Sequence, residues 1–477
     1  MDGSNFDLLP PEMKTKVLLK LNLKDLLNFC STSKSAMEYC KDDKFWKAKY
    51  QYDFPSIPST GTQSWEKQYK SLHLIPQSPI CIGMKHYAVI DNQSMLYTGG
   101  TRVPYFYSGQ RDKLTGKYPM KPVHTFGSEN SSAVPVKQKV RSVSCGANFI
   151  GAVTEEGRVF FWGEDIWGIF TDQDYKTTDF ANMTSREFKI SEPREFKIPG
   201  KAVKIACGPK RIEVSPSMFA VILEDRSVFL RMDFIYYHPE LDDFTTKIIS
   251  TVLNIKALDI SAGGEALAIV STDGKLYFLG RDLMVFDTKY GYETPPIGLI
   301  YKDGQIVIEP VHIPLPEKIK QVSLDYEHGC ALSVNGNAYL WSSVSHPIKL
   351  PFHIPISFIT CQMNATSVID ENGKLYIWGN DNLRILYSKD GMLLKGLVRD
   401  AGRDDTGPQY WDLEIDKPVQ IKFGSLDEYG TGIVAIPEDR VNYVAMGSRM
   451  IIATTADDWI NIVKPDIRGA NISNLDG

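Results

Sequence analysis

The sequence predicts a mostly β chain, a seven-bladed β-propeller preceded by a small all-α module. A degenerate unit recurs seven times with one internal spacing. Its columns are β-branched, apolar and aromatic in turn, as strands require. The first stretch of chain shares none of this and carries apolar residues at helical spacing instead.

The chain has 477 residues, 43% hydrophobic and 23% charged. At roughly 150 residues per domain this fits three ordinary domains, or one large closed fold and a small one. The composition excludes a wholly disordered or collagen-like chain. No apolar run approaches the ~20 residues of a membrane helix. The start, Met1-Asp2-Gly3-Ser4-Asn5, is acidic and polar, unlike a secretory signal or transit peptide. The expectation is a cytoplasmic and/or nuclear protein with no membrane partner. With a net charge of -5 and a pI near 6.0, and no Lys/Arg block of five or more, no nucleic-acid partner is expected. Seven scattered cysteines without a Cys-x-x-Cys pair give zinc no support and fit a reducing compartment.

The helical module comes first. Leu8-Leu9-Pro10-Pro11-Glu12 leads into Met13, Val17, Leu18 and Leu21, spaced for one apolar helical face, with proline where a first turn tolerates it. Leu23, Leu26, Leu27 and Phe29 mark a second helix opened near Asp25. Ser33 or Ser35 caps a third that carries Met37 and Cys40. Phe45, Trp46, Lys49 and Tyr50 follow Asp42-Asp43. After a Pro/Ser/Gly/Thr-rich turn, Trp65, Tyr69 and Leu72 form another helical stripe. A cluster this small is marginal alone, so its leucines either form a private core that docks on the rest of the chain or meet a partner.

These residues resemble an F-box. Leu9-Pro10-x-Glu12, Val17-Leu18, Leu21, Leu23, Asp25-Leu26, Phe29-Cys30 and Phe45-Trp46 fall in that family's order, and Trp65-x-x-x-Tyr69 resembles the helix that commonly follows. The Val-Cys-Lys-x-Trp element of the family is matched only loosely around Cys30 to Lys34. The resemblance implies binding to the small Skp adaptor protein, and through it to a cullin. It places the adaptor contact at Leu8, Leu9, Pro10, Glu12, Val17, Leu18, Leu21, Leu23, Leu26 and Phe29. The expected boundaries are residues 1–50 for this module, 51–78 for a linker with one helix, 79–465 for the propeller and 466–477 for a tail.

The repeat is anchored by a glycine, followed eleven residues later by the glycine of a tight turn, as in Gly146/Gly157 and Gly263/Gly274. The same spacing aligns Gly83 with Ser94, Asp325 with Gly336, Gln362 with Gly373 and Gly447 with Asp458. A seventh copy runs from Gly208 to Arg226 with an insertion. Three residues before the anchor stand Ile80, Val143, Ile205, Ile260, Val322, Ile359 and Val444, all β-branched. Two residues after the turn stand Leu96, Val159, Val228, Leu276, Ala338, Leu375 and Ile460. An aromatic follows in six copies. Asp273-Gly274, Asn335-Gly336 and Asn372-Gly373 are hairpin turns. Each unit is therefore three strands and two connections, and seven in series fit a ring that leaves no long open edge. The start near Ile80 and the last strand near Ile460 to Val463 are expected to meet.

The pattern of Cys-Gly, then Ala-Val, then acidic-Gly-x-Val-aromatic-x-Trp-Gly resembles the regulator-of-chromosome-condensation (RCC-type) repeat, a family of seven-bladed propellers. The chain departs from it at Asp325 and Gln362, which replace the anchor glycine, and in lacking most of the Gly-Gln-Leu-Gly loop.

Catalytic chemistry finds no footing. There is no phosphate loop, no Gly-x-Ser-x-Gly elbow and no His-Glu-x-x-His. Cys145, Cys207 and Cys361 share the column before the anchor, where small apolar packing explains them. His86 and His328, three residues after an anchor, are expected to be hydrogen-bonded within a blade. No cofactor and no metal is expected, and the chain is expected not to be an enzyme.

Long insertions at about 101–138, 164–200, 232–254, 281–318 and 380–440 recur at similar phases and are expected on one side of the disc. Their aromatics include Tyr105, Trp167, Tyr236, Tyr290 and Trp411, the candidates for binding a substrate protein. The two-part organisation resembles fungal factors associated with Skp–cullin–F-box (SCF) ubiquitin ligases. It implies a non-catalytic substrate receptor that acts by proximity. The other readings are a guanine-nucleotide exchange factor for a small GTPase of the Ran type, which the repeat's namesake suggests, and a plain scaffold.

Overall fold

The computed structural model describes residues 9–21, 23–53, 64–66, 69–70, 78–83, 86–90, 94–100, 121–122, 139–146, 149–165, 188–208, 218–238, 243–263, 266–280, 298–302, 305–325, 328–342, 347–350, 352–362, 365–380, 399–400, 413–421, 441–447, 450–455 and 461–463.

Among the described residues, four helices come first: α1 (Pro11–Leu19), α2 (Leu23–Cys30), α3 (Lys34–Cys40) and α4 (Asp43–Asp53). Pro11 stands at the first helical position, where its missing N–H costs nothing, and Glu12 faces the positive end of the helix. Ser33 caps α3, its hydroxyl accepting the Ala36 N–H at 3.1 Å. Asp42 accepts the Lys44 N–H at 2.9 Å where α4 begins. Leu18, Leu26, Phe45, Trp46, Tyr50 and Tyr69 form one buried cluster. Inside it the Trp46 indole N–H donates to the Cys40 carbonyl at 2.6 Å, and Lys49, itself buried, donates to the Leu19 carbonyl at the end of α1, also at 2.6 Å. Residues 65–66 and 69–70 are helical and belong to the same cluster: the Trp46 and Tyr69 rings lie 5.3 Å apart, as do those of Tyr50 and Trp65.

The rest is a seven-bladed propeller. The first blade is a four-stranded antiparallel sheet of Ile80–Ile82, His86–Ile90, Leu96–Gly100 and Lys121–Pro122. The second is Val140–Cys145, Phe149–Thr154, Val159–Asp165 and Phe188–Phe196. Ala202–Gly208, Met218–Leu223 and Ser227–His238 form the third. Its outer strand is the first part of Asp243–Gly263, and the end of that same strand is the inner strand of the fourth. Two blades thus share one seven-stranded sheet, completed by Ala266–Ser271, Leu276–Gly280 and Val311–Ile313. The fifth blade is Ile319–Leu324, His328–Ser333, Ala338–Ser342 and Ile348–Lys349. The sixth is built on Ile356–Gln362, Ala365–Asp370, Leu375–Asn380 and Leu413–Ile421, and the seventh on Val441–Gly447, Met450–Thr455 and Asn461–Val463. Second strands such as Met218–Leu223 and Ala266–Ser271 are buried on both faces, which is why they read as unbroken apolar runs.

The inner strands close into a ring, each packed beside the next, and 441–447 returns to 80–82. There Ile80, Ile82, Tyr87 and Val89 pack on Ala445, and the Tyr443 hydroxyl donates to the Ile80 carbonyl at 3.4 Å. The expected meeting of Ile80 with 460–463 is corrected: Asn461–Val463 pairs with 451–453 inside its own blade, and the ring closes through the inner strand. The tight turns behave as their spacing requires. Gly157, Gly274, Gly336 and Gly373 have φ between 80° and 85°, and Ser94 (64°) and Arg226 (72°) adopt the same left-handed backbone without being glycine.

Two inner-strand columns hold the seams between blades. Ser142 and Ser144 accept the N–H groups of Ile205 (3.4 Å) and Cys207 (2.9 Å) in the next blade. Ser261 accepts Leu324 N–H at 2.9 Å, and Ser323 accepts Cys361 N–H at 3.1 Å. Gln321 both accepts from Ile359 N–H (3.3 Å) and donates to its carbonyl (2.9 Å). Asp259 takes Val322 N–H at 3.0 Å and Lys204 Nζ at 2.5 Å, so one carboxylate ties three blades. Each of the backbone donors would otherwise be a buried N–H without a partner.

Four of the seven cysteines are disulfide-bonded, Cys30–Cys40 within the helical module and Cys81–Cys145 between the first two blades. Their spacing hid both pairs, and the two bridges run against the reducing-compartment reading of the cysteines. The partners are ten and sixty-four residues apart and meet only when the chain folds back. Cys145 is therefore a bridge as well as a packing residue.

Candidate functional site

The ten residues proposed for the adaptor contact divide by environment. Leu18 (1% exposed) and Leu26 (0%) are core residues of the module. Leu21 and Phe29 pack half-buried against that core, and Leu9 is half-buried. Pro10, Glu12 and Val17 face outward. Leu23 opens α2, and Leu8 lies outside the described residues.

The apolar face read from the sequence is in fact two faces. Val17 and Leu18 are neighbours about 100° apart on a helix. Leu18 and Leu21 point into the core. Pro10, Met13 and Val17, at i, i+3 and i+7, make an outward stripe, with Met13 48% and Val17 41% exposed. Met13 belongs to this outward stripe, and its three-residue spacing from Pro10 was the available signal.

Among the described residues, the module meets the propeller at the fifth blade. Val334, in the turn between the second and third strands of the fifth blade, packs against the Leu18–Trp46–Tyr69 cluster. That turn is braced from below by Glu317, which accepts hydrogen bonds from Asn335 (2.9 Å), Asn337 (2.9 Å) and Tyr339 (2.7 Å). Burial opposes ionisation of this carboxyl, but donors from Asn337, Asn335 and Tyr339 hold it down at about 2.

Of the substrate-binding candidates, Tyr105, Trp167, Tyr290 and Trp411 lie outside the described residues. Tyr236 lies on the extended third strand of its blade, opposite Thr245. The 232–254 insertion is thus a lengthened hairpin with His238 opposite Asp243. A second hairpin, Leu299–Lys302 with Gln305–Ile308, stands in the 281–318 insertion.

Both histidines reach across a seam, and only His328 also keeps a partner within its own blade. His86 Nε2 donates to the Phe149 carbonyl of the second blade at 3.2 Å. Burial pushes its pKa down to about 4, so the ring is neutral. His328 Nε2 lies 3.3 Å from Thr366 Oγ1 of the sixth blade, and its Nδ1 lies 3.4 Å from Asp325 Oδ2. Among the described residues no group of three or more His, Cys, Asp and Glu side chains is arranged to hold a metal, and no helix is long and apolar enough to cross a membrane.

Comparison with known proteins agrees with both halves. Residues 6–48 match the F-box domain family. A 140-residue stretch is 25% identical to the serine/threonine-protein kinase Nek9 of Mus musculus; it is 28% of this chain and 12% of the length of that relative. The crystal structure of Kap60 bound to yeast RCC1 (Prp20) is similar over 81% of this chain and 80% of that one, at 15% identity and a TM-score of 0.51. Human WBSCR16 is similar over 82% and 87%, at 16% identity and a TM-score of 0.49. The chain thus joins an F-box to a β-propeller. Residues 6–48 are an F-box domain, and the propeller has the RCC1 fold.

Proposed function

We propose that the protein is the substrate-recognition subunit of a Skp–cullin–F-box E3 ubiquitin ligase, itself non-catalytic and working in the cytoplasm, the nucleus or both. The observation that carries this reading is the F-box at residues 6–48, with an outward apolar stripe of Pro10, Met13 and Val17 on α1. A buried aromatic core backs that stripe, so it is presented on a fixed surface. The F-box grips the Skp adaptor and through it a cullin. The propeller holds a protein substrate near the ubiquitin-charged enzyme, with Tyr105, Trp167, Tyr236, Tyr290 and Trp411 as candidate contacts. Holding the reactants together is the whole catalytic contribution.

The test is co-purification of the Skp adaptor with the wild-type chain and with a Leu9→Ala/Pro10→Ala double variant. Truncating interface anchors is expected to weaken binding roughly thirty-fold, the equivalent of about 2 kcal/mol, while the circular dichroism of the propeller is unchanged. A folded wild-type chain that captures no adaptor overturns the reading and sends the search to nucleotide-exchange assays with small GTPases.

A further inference from the structure

Three cysteines share the column one residue before the repeat anchor, and the structure gives each a different partner. Cys145 is bridged to Cys81. Cys207, in the third blade, faces Gly151 of the second: a Cβ built on Gly151 would lie 2.9 Å from the Cys207 sulfur. Burial pushes the Cys207 thiol up to about 12. Cys361, in the sixth blade, faces the fifth. Five residues after an anchor, where the second blade has Gly151, the fifth has Cys330. The repeat therefore sets two free thiols against each other at this seam, both buried, Cys330 at 0% and Cys361 at 3% exposed.

The surroundings differ in kind as well. Cys361 Sγ lies 3.0 Å from the Ser323 carbonyl and 3.8 Å from that of His328. The His328 ring stands beside it, oriented by Asp325 on one nitrogen and Thr366 on the other. Burial alone would raise the Cys361 thiol, but the neighbouring Cys330 thiol and the charge of His328 bring it below its ordinary range. Cys330 is pushed up, first by burial, and keeps its proton. His328 goes up: burial opposes its charge, and Cys361 and Asp325 outweigh that. The seam thus sets Cys361, with a histidine held beside it, against a second free thiol, Cys330.

We propose that Cys330 and Cys361 form a redox-responsive thiol pair at the seam between the fifth and sixth blades, which a hydroperoxide converts into a third disulfide. His328 takes the Cys361 proton. The thiolate attacks the terminal oxygen of the hydroperoxide and the O–O bond breaks. The departing alkoxide or hydroxide takes the proton back from His328, leaving Cys361 as a sulfenic acid. Cys330 then attacks that sulfur. The S–O bond breaks, hydroxide leaves with the Cys330 proton as water, and the disulfide remains. The two thiols lose two electrons in total, and one hydroperoxide is reduced to an alcohol (or water) and one further water. The product locks the fifth blade, on which the F-box rests, to the sixth.

The test is peptide mapping of the full wild-type chain after timed exposure to hydrogen peroxide at pH 7, with free thiols alkylated in denaturant. A Cys330–Cys361 cross-linked peptide should accumulate, with free Cys361 disappearing roughly ten-fold or more faster than free Cys207, its column-mate. In a His328→Gln variant the cross-link should form roughly ten-fold more slowly at pH 7 and recover as the pH is raised toward 9, which a merely structural role for the ring would not produce. Equal rates for Cys361 and Cys207, or oxidation of Cys361 without linkage to Cys330, overturns the proposal, and both are read on the wild type alone.

Discussion

In the helical module, six buried side chains (Leu18, Leu26, Phe45, Trp46, Tyr50 and Tyr69) form a single cluster, and four of them are aromatic. In the propeller the buried residues divide into several clusters. Several blades also lean on their neighbours through side-chain-to-backbone bonds such as Ser144 to Cys207 and Ser261 to Leu324. The difference follows from size and geometry. A short helical bundle has little interior and must fill it with large rings. A ring of sheets repeats one modest interface and spreads the burden over all seams. The module should therefore fail at single residues, and the propeller should yield by increments.

The largest effect is expected at Trp46, which is 1% exposed and bonded to the Cys40 carbonyl. Trp46→Ala should cost about 3–5 kcal/mol, enough to unfold the module. Hydrogen exchange should show residues 11–50 losing protection while the blade strands keep theirs. If the blades lose protection together with the helices, the contact at Val334 couples the two regions into one unit and the contrast between them breaks.

A middle-sized effect tests the seams through His86. Its native pKa, about 4, lies below the ordinary 6.5 of the unfolded chain. Between these values the unfolded state binds more protons, so stability rises with pH. The contribution is fully present above about pH 6.5 and is lost as pH falls toward 4, on the order of 3 kcal/mol in all. Thermal unfolding at pH 7 and pH 5 should show the propeller transition falling more steeply in the wild type than in His86→Leu. Equal slopes would mean that the ring is hydrated and contributes nothing at this seam.

How much of this was legible depends on whether a residue's role repeats. The β-branched column at Ile80, Val143 and Ile205 and the turns at Gly157, Gly274, Gly336 and Gly373 recur at a fixed spacing, so the blades and their order could be read from the sequence. The seam chemistry also recurs by position but not by residue type. Ser142, Lys204, Asp259 and Gln321 occupy one column, and only the structure reveals that each faces the next blade. In the module, helical spacing placed Met13, Val17, Leu18 and Leu21 on one apolar face. Which half of that face turns inward is set by the packing of Trp46 and Tyr69, far along the chain. The disulfide partners and the Cys330–Cys361 pairing depend likewise on tertiary return.

The smallest effect sharpens the comparison, because it asks whether a single turn matters to the propeller at all. At the repeat's tight turn, Ser94 stands where Gly157, Gly274, Gly336 and Gly373 stand in other copies, and it has the same left-handed φ of 64°. An L-residue there costs roughly 1–2 kcal/mol relative to ordinary backbone, and glycine does not. Against this, Ser94→Gly loosens the unfolded chain by about 0.5–1 kcal/mol. It also removes an exposed bond from the Ser94 hydroxyl to Glu155 at 2.7 Å. The sum is a small gain, about 0.5 kcal/mol, read as a slight rise in the propeller's Tm. A fall in Tm would mean that the Ser94–Glu155 bond, which links the first blade to the second, outweighs the backbone strain. Seams would then govern even the turns at their rim.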